Sequence, residues 1–152
     1  MIRPMMIGST ILLCVALAAH AAPSLKATTT LSGGGTYTVP LTLTGDNAAI
    51  AAVGVEVTYD PELLEAVGAA GPAATVAGKQ ATVTPGAKGH LTVGIFGMNA
   101  TKIMDGVVAI LTLRMKPGQE QATKSLNYAF SASTPTGDDL PLEQAKGTLI
   151  LE

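Results

Sequence analysis

The sequence predicts an all-β domain, and three features of the chain support that prediction. Runs of five to ten residues rich in Val, Ile, Leu and Thr recur along it. Gly, Pro, Asn and Asp interrupt these runs at short intervals, as turns between strands require. The three-to-four-residue apolar repeat of an amphipathic helix is nearly absent. Together these features are typical of a β-sandwich or a β-barrel.

Nine segments are predicted as strands, and turn residues separate most of them. In chain order the segments are 25–31, 36–44, 50–59, a weaker one at 73–77, then 80–84, 90–97, 107–116, 126–133 and 147–151. The turns are predicted at 33–35, 45–47, 85–86, 117–118 and 135–139. The predicted fold is therefore about nine strands with one short helical turn.

The third strand shows which of its faces is buried. Alternate side chains of a strand point to opposite sides of its sheet. The large apolar set, expected in the core, is Val53, Val55, Val57 and Tyr59. The small or polar set, expected on the outside, is Ala52, Gly54, Glu56 and Thr58.

Two other predicted strands indicate their place within a sheet. Residues 107–116 are almost continuously apolar until Arg114, as expected of a central strand covered on much of both faces. The strand at 36–44 contains Pro40, which has no N–H to donate to a neighbouring strand. Pro40 therefore has to lie at a sheet edge or at a bulge.

One helical turn is predicted at residues 60–65. Asp60 can accept hydrogen bonds at the N-cap, Pro61 suits the first helical position, and Glu62 places negative charge in the first turn. Gly68 is expected to end this turn. The acidic residues of the segment thus have a structural role.

The first 21 residues are typical of a secretory signal peptide. Arg3 gives a positive start, residues 7–19 form an uncharged and mostly apolar run, and Ala19 and Ala21 place small side chains before a cleavage site. The apolar run is shorter than the roughly 20 residues that cross a bilayer, so no membrane-spanning helix is expected. Cleavage near Ala21 would release a domain of residues 22–152 into the periplasm or the medium.

Composition excludes several classes of function. The 152 residues have a formal net charge of −2, with nine Lys and Arg in total, two His and one Cys. Nine dispersed basic residues do not form the positive stripe that a nucleic acid requires. The two His and Cys14 are too few for a structural zinc site. Because Cys14 lies in the predicted leader, no disulfide is expected after export.

No catalytic residue is assigned. Glycosidase chemistry requires two carboxylates about 5–10 Å apart in a cleft. The acids of residues 60–65 are explained by capping, and Asp138 and Asp139 fall in a predicted turn. His90 has no serine or cysteine at a spacing that suggests a catalytic pair. A non-enzymatic binding role is therefore favoured.

Three segments together resemble one known family. Residues 50–65 form a strand that ends in Tyr59-Asp60-Pro61 and continues into Leu64-Glu65, and they resemble the cohesin signature. Residues 90–97 resemble the middle strand of that family. Residues 105–116 resemble its Asp-Gly-X-X-Ala strand. The order and spacing agree across residues 25–152, so the resemblance covers the whole predicted domain.

The resemblance implies both a fold and a function. Cohesins are nine-stranded β-sandwiches of jelly-roll topology that hold the dockerin domains of polysaccharide-degrading enzymes on a scaffold. The calcium of those complexes belongs to the dockerin, so no cofactor or metal is expected on this chain. A dockerin-like or other exported protein is the expected partner.

The resemblance also implies a partner-binding face. Its residues in this chain are Ala52, Gly54, Glu56, Ile95, Met98 and Asn99. Cellulosomal cohesins of the first type carry an Asn and an Asp where this chain has Ala52 and Gly54, and an acidic residue where it has Met98. Each unmatched hydrogen bond costs about 1–3 kcal/mol, so tight binding of a standard cellulosomal dockerin is not expected.

Two alternative functions remain open at this point. Related sandwiches bind polysaccharides by stacking sugar rings on exposed aromatic side chains. Here only five aromatic residues serve both the core and any such platform: Tyr37, Tyr59, Phe96, Tyr128 and Phe130. A periplasmic or envelope assembly role would instead use an exposed strand edge that extends the sheet of another protein.

Overall fold

A computed structural model describes residues 22–45, 48–119, 124–143 and 145–151 of the chain. The predicted leader, residues 1–21, lies outside the described residues, as do Asp46 and Asn47 of the predicted turn at 45–47. The described part holds eleven strands and one short helix. This helix is not long and apolar enough to cross a membrane.

The eleven strands include eight of the nine predicted segments, the first of them divided into two, and two segments that were not predicted, 64–70 and 139–140. The strands are β1 (Ser24–Ala27), β2 (Thr30–Leu31), β3 (Thr36–Thr44), β4 (Ala52–Tyr59), β5 (Leu64–Ala70), β6 (Gln80–Pro85), β7 (His90–Phe96), β8 (Gly106–Met115), β9 (Lys124–Ser133), β10 (Asp139–Leu140) and β11 (Lys146–Leu151). The helix, α1, spans Pro72–Val76.

Two antiparallel sheets pack face to face. The five-stranded sheet has the order β1-β3-β8-β5, and β2 also pairs with β3. The six-stranded sheet has the order β10-β9-β4-β7-β6, and β11 also pairs with β9. Consecutive strands therefore cross repeatedly between the sheets. The predicted all-β sandwich is confirmed, with eleven strands in place of nine.

The core lies between the sheets, and alternate residues of each long strand fill it. The five-stranded sheet contributes Val39, Leu41, Leu43, Leu64, Leu111 and Leu113, all buried. The six-stranded sheet contributes Val55, Val57, Leu91, Val93, Ile95, Leu126 and Phe130, also buried. Val53 is buried as predicted, and Tyr59 is partly buried at the end of β4. The central position of β8, predicted from its apolar run, is confirmed.

Pro40 divides the first predicted strand into two. β1 and β2 pair with β3 in one continuous register, Ala27 opposite Leu41 and Thr30 opposite Thr38. Between them the N–H of Thr28 donates to the carbonyl oxygen of Pro40 at 3.3 Å. Pro40 has no N–H to return, so the ladder breaks there. Pro40 is not at an edge, because β3 lies between β1 and β8, and the register shift of β3 against β8 comes just after it, between Leu41 and Thr42.

Two predicted elements are corrected. The turn at Asp60 exists, since the N–H groups of Leu63 and Leu64 both donate to the carbonyl oxygen of Asp60. It does not run to Gly68, because residues from Leu64 onward pair with β8 as strand β5. Residues 73–77, predicted as a weak strand, lie mostly in helix α1. Pro72 at its first turn and the alanines that follow favour a helix over a strand.

The two sides of the sandwich are closed to different extents. On one side Ser24 of β1 forms a parallel bridge with Glu143, and the N–H of Glu143 donates to the carbonyl oxygen of Pro23 at 3.0 Å. These contacts join β1 to the segment between β10 and β11. On the other side, β5 and β6 are the terminal strands of their sheets. The backbone edge of β6 faces outward there.

Candidate partner-binding face

The outer face is the solvent side of the six-stranded sheet. It consists of the outward residues of four adjacent strands, in the order β9, β4, β7 and β6. They are Ser125, Asn127, Ala129, Ser131 and Ser133; Ala52, Gly54, Glu56 and Thr58; His90, Thr92, Gly94 and Phe96; and Gln80, Thr82 and Thr84. Most of these side chains are small or carry a hydroxyl group.

The structure places the predicted site residues in three different environments. Ala52, Gly54 and Glu56 lie on the outer face, as predicted from the alternation in β4. Met98 and Asn99 lie in the loop that follows β7 and are exposed. Ile95 has no exposed surface and belongs to the core, so its predicted role as a contact residue is wrong. It pairs with Val53, another inward residue, and strand alternation sends both to the same side.

Phe96, the next residue of β7, is exposed where Ile95 is buried. Its side chain is 52% exposed on the outer face, one residue beyond the buried Ile95. A Cβ atom on Gly94 would lie 3.2 Å from Cε1 of Phe96, so the ring extends over Gly94 along its own strand. The pairing register of β7 with β4 decides this assignment. Side chains alternate between the two faces of β7. Once one buried residue of this strand is known, that alternation places Phe96 on the outer face.

Two glycines lie in the middle of the outer face. Gly54 and Gly94 are paired across β4 and β7, and Ser131 and Thr82 flank them in the neighbouring strands. A Cβ atom on Gly54 would meet Oγ of Ser131. Glycine inside a strand often marks a point where another backbone approaches closely. Neighbouring side chains take part of the space above each glycine, Oγ of Ser131 above Gly54 and the ring of Phe96 above Gly94.

Met98 adds a second apolar side chain beside Phe96. It is fully exposed in the loop after β7. With Phe96 it lines a depression whose other residues are Gly78, Gln80, Thr82, Gly97 and Asn99. Two large apolar side chains at one end of a small-residue face are typical of a protein contact site.

A buried lysine holds the loop that carries Met98. Nζ of Lys79 donates to both the backbone oxygen and Oδ1 of Asn99, each at 2.8 Å, and Lys79 is only 3% exposed. Oδ1 of Asn99 also accepts the N–H of Thr101 at 3.1 Å. Asn99, predicted as a contact residue, therefore has its polar atoms engaged within the domain. Nothing in the sequence pattern indicated that Lys79 is buried.

The opposite end of the outer face is polar. Glu56, Thr58, His90, Asn127, Lys146 and Thr148 line a depression there, together with Tyr128, Ala129 and Gly147. Oγ1 of Thr148 donates to Oδ1 of Asn127 at 2.7 Å. The outer face is thus divided along its strands into an apolar end and a charged end.

The aromatic residues do not form a sugar-binding platform. Tyr37 and Phe130 are buried, and Tyr59 and Tyr128 are partly buried against the core. The rings of Tyr128 and Phe130 stack on each other, with centroids 4.6 Å apart. This leaves Phe96 as the exposed ring. A single phenylalanine without adjacent aromatic side chains gives little surface for stacking sugars.

Two of the acidic residues considered for catalysis, Asp60 and Asp138, accept hydrogen bonds within turns, whereas Glu65 lies in β5 and Asp139 in β10. Oδ1 of Asp60 accepts the N–H of Glu62 at 2.9 Å. Oδ2 of Asp138 accepts the hydroxyl of Thr136 at 2.6 Å. Within the described ranges, no group of three or more His, Cys, Asp or Glu residues could hold a metal ion.

The comparison with known families agrees with this geometry. The family model described as "Cohesin domain" matches residues 22–149. The chain belongs to the cohesin family. No curated protein matches its sequence significantly.

Several solved cohesin structures share the fold of this cohesin. The sixth cohesin of scaffoldin B from Acetivibrio cellulolyticus, solved with a Cel5 dockerin mutant, has 24% identity, a TM-score of 0.65, and coverage of 87% of this chain and 100% of that one. CaCohA2 from Clostridium acetobutylicum has 13% identity and a TM-score of 0.68, covering 86% and 90%. A non-cellulosomal cohesin from Archaeoglobus fulgidus has 16% identity and a TM-score of 0.63, covering 86% and 91%.

Proposed function

We propose that this cohesin is an exported, non-catalytic module that binds a dockerin-like protein through its outer face, and that the bound protein takes part in polysaccharide degradation. The observation that carries the proposal is the pair of exposed apolar side chains, Phe96 and Met98, at one end of a face made of small residues. Large apolar side chains that a partner fully buries supply much of the binding energy of protein interfaces.

The remaining outer face suits a helical partner. The centre of the face, at Gly54 and Gly94, carries small and hydroxyl-bearing side chains that can make hydrogen bonds to the backbone or side chains of a helix. Glu56 at the polar end is exposed and can pair with a basic side chain. The partner we expect is therefore a helix with apolar residues near Phe96 and a basic residue near Glu56.

The decisive experiment is calorimetric titration of residues 22–152 with the dockerin modules encoded in the same genome. Phe96→Ala should weaken binding by at least about tenfold, because truncation of a central aromatic anchor typically costs more than 1 kcal/mol. Val67→Ala is the matched control, since Val67 is exposed on β5 in the other sheet. Absence of dockerin binding, together with retardation in a polysaccharide affinity gel, would favour a glycan-binding module instead.

Gly54→Asp separates use of the outer face from use of a strand edge. The new side chain displaces Oγ of Ser131 and places a charge at the centre of the outer face. We expect weaker partner binding by titration, with an unchanged circular dichroism spectrum. Unchanged binding would indicate an assembly role through a sheet edge.

Specificity is expected to differ from that of cellulosomal cohesins. Ala52 and Gly54 offer no side-chain hydrogen bonds where the first type of cellulosomal cohesin has Asn and Asp. The Cel5 dockerin should therefore bind this cohesin at least about thirtyfold more weakly than it binds a cellulosomal cohesin of the first type, since two missing bonds cost about 1–3 kcal/mol each. Equal affinity in parallel titrations would contradict this.

Export is part of the proposal and has its own measurement. The leader pattern supports cleavage after Ala21. N-terminal sequencing of the protein recovered outside the cytoplasm should begin at Ala22. Recovery of the intact chain from the cytoplasm would contradict export.

A further inference from the structure

Strand β6 leaves its outer backbone edge unpaired. It spans Gln80–Pro85, pairs with β7 on one side and is the last strand of its sheet. Its side chains are mostly exposed and none is charged. Exposed, uncharged edge strands readily pair with a strand of another chain.

The hydrogen-bonding pattern identifies the free backbone groups. The N–H of Gly86 donates to the carbonyl oxygen of His90 at 2.6 Å, in the same register as the β6–β7 ladder. Even-numbered residues of β6 therefore bond to β7, and odd-numbered residues point outward. Ala81 and Val83 each present a free N–H and a free C=O. No backbone partner for these groups occurs elsewhere in the described part of the chain.

The other edge strands are protected by charge or by length. β1 contains Lys26, β5 contains Glu65, β10 contains Asp139 and β11 contains Lys146. β2 is only two residues long. Charged residues and short strands are the usual means by which proteins prevent edge-to-edge pairing. Among the described edges, β6 alone is several residues long and has no charged side chain, and its one edge proline, Pro85, is the last residue of the strand.

We propose that β6 pairs antiparallel with β6 of a second copy of this chain, about a two-fold axis at Thr82. In that register Ala81 lies opposite Val83 of the second copy, and Thr82 lies opposite Thr82. Each Ala81–Val83 pair exchanges two N–H···O=C bonds. The four N–H groups and four C=O groups of these residues in the two copies are therefore all paired. The two sheets then form one continuous sheet.

The ends and the side chains of the strand fit the same arrangement. Pro85 lacks an N–H and would face Lys79 of the second copy, whose own N–H already donates to Ala74. No hydrogen bond is lost there. Val83 is 37% exposed at the rim of the core, and pairing covers it with Ala81 of the second copy. An uncharged strand places no like charges opposite each other.

The pairing would double the number of outer faces that one assembly presents to a partner. A two-fold axis perpendicular to the sheet places both outer faces on the same side of the dimer. If the proposed dockerin-type function holds, one dimer presents two partner sites and gains avidity for a partner with two modules. The self-association itself does not depend on that function.

Sedimentation velocity of residues 22–152, with no partner present, tests the proposal. We expect the average mass to rise from one copy at about 10 μM towards two copies at about 1 mM, because interfaces this small are weak. Val83→Pro removes one donor from each copy without touching the ladder to β7, and should abolish the rise. A wild-type protein that stays monomeric over this range overturns the proposal.

A charge pair tests the register. Thr82→Lys or Thr82→Glu alone should abolish dimerisation, because like charges then face each other at the axis. An equimolar mixture of the two variants should dimerise again. Thr84→Lys is the control, since Thr84 would face Gln80 of the second copy, and its dimer should persist. A dimer insensitive to Thr82→Lys would use another surface and would overturn the proposal.

Discussion

At the scale of single residues, Lys79 is a buried charged side chain whose hydrogen bonds fix the position of a loop. Burying an ammonium group is unfavourable unless its donors are satisfied. Two oxygens of Asn99 satisfy two of them at 2.8 Å. The result is a fixed loop between β7 and β8, with Met98 directed into solvent. Lys79 is therefore a positioning residue for the apolar end of the outer face.

Removing the Asn99 side chain should destabilise the domain through Lys79. Asn99→Ala leaves the buried ammonium with one fewer acceptor, at a cost of about 1–3 kcal/mol in the free energy of unfolding. Urea denaturation measures the change. Lys79→Met in the Asn99→Ala background should recover part of the loss, because no buried charge then remains to be satisfied. Simple additivity of the two substitutions would contradict the coupling.

At the scale of elements, pairing partners override local preference in two places. Residues 64–70 follow a turn with helical features, yet they are a strand because β8 offers them an open edge. Pro40 acts in the opposite sense, since its missing N–H divides one predicted strand into β1 and β2. The local sequence favours a type of element, and pairing with the neighbouring strand sets the residues at which that element begins and ends.

Replacing Pro40 should join β1 and β2. Pro40→Ala supplies an N–H opposite the carbonyl oxygen of Thr28, in a register that the flanking pairs already set. The new hydrogen bond and the lost rigidity of proline offset each other, so stability should change by less than about 1 kcal/mol. Hydrogen exchange by NMR should show the new amide protected to a similar degree as Thr42. Rapid exchange at residue 40 would show that the break has another cause.

At the scale of the whole molecule, one core joins the two sheets. Side chains from both sheets form a single buried cluster, so neither sheet retains its apolar face if the other unfolds. The sole cysteine, Cys14, lies in the predicted leader, so residues 22–152 rely on packing alone. A cooperative domain without covalent crosslinks follows.

Unfolding should therefore occur in one transition. Tyr37 lies in the five-stranded sheet and Tyr128 in the six-stranded sheet, so tyrosine fluorescence samples both. Urea transitions followed by fluorescence and by far-ultraviolet circular dichroism should coincide, as for most domains of this size. A reducing agent should leave the midpoint unchanged. Separate midpoints for the two probes would contradict unfolding in a single cooperative transition.

The sequence by itself determined the fold class, most strand positions and the faces of β4. Strand alternation and turn residues are local properties, so Ala52, Gly54 and Glu56 could be placed on the outside from the sequence alone. Only the tertiary structure decided that Ile95 is buried and Phe96 exposed, that Lys79 is held by Asn99, and that β6 ends its sheet with a free edge. These features depend on pairing between strands far apart in the chain, which fixes register and neighbours that no local pattern contains.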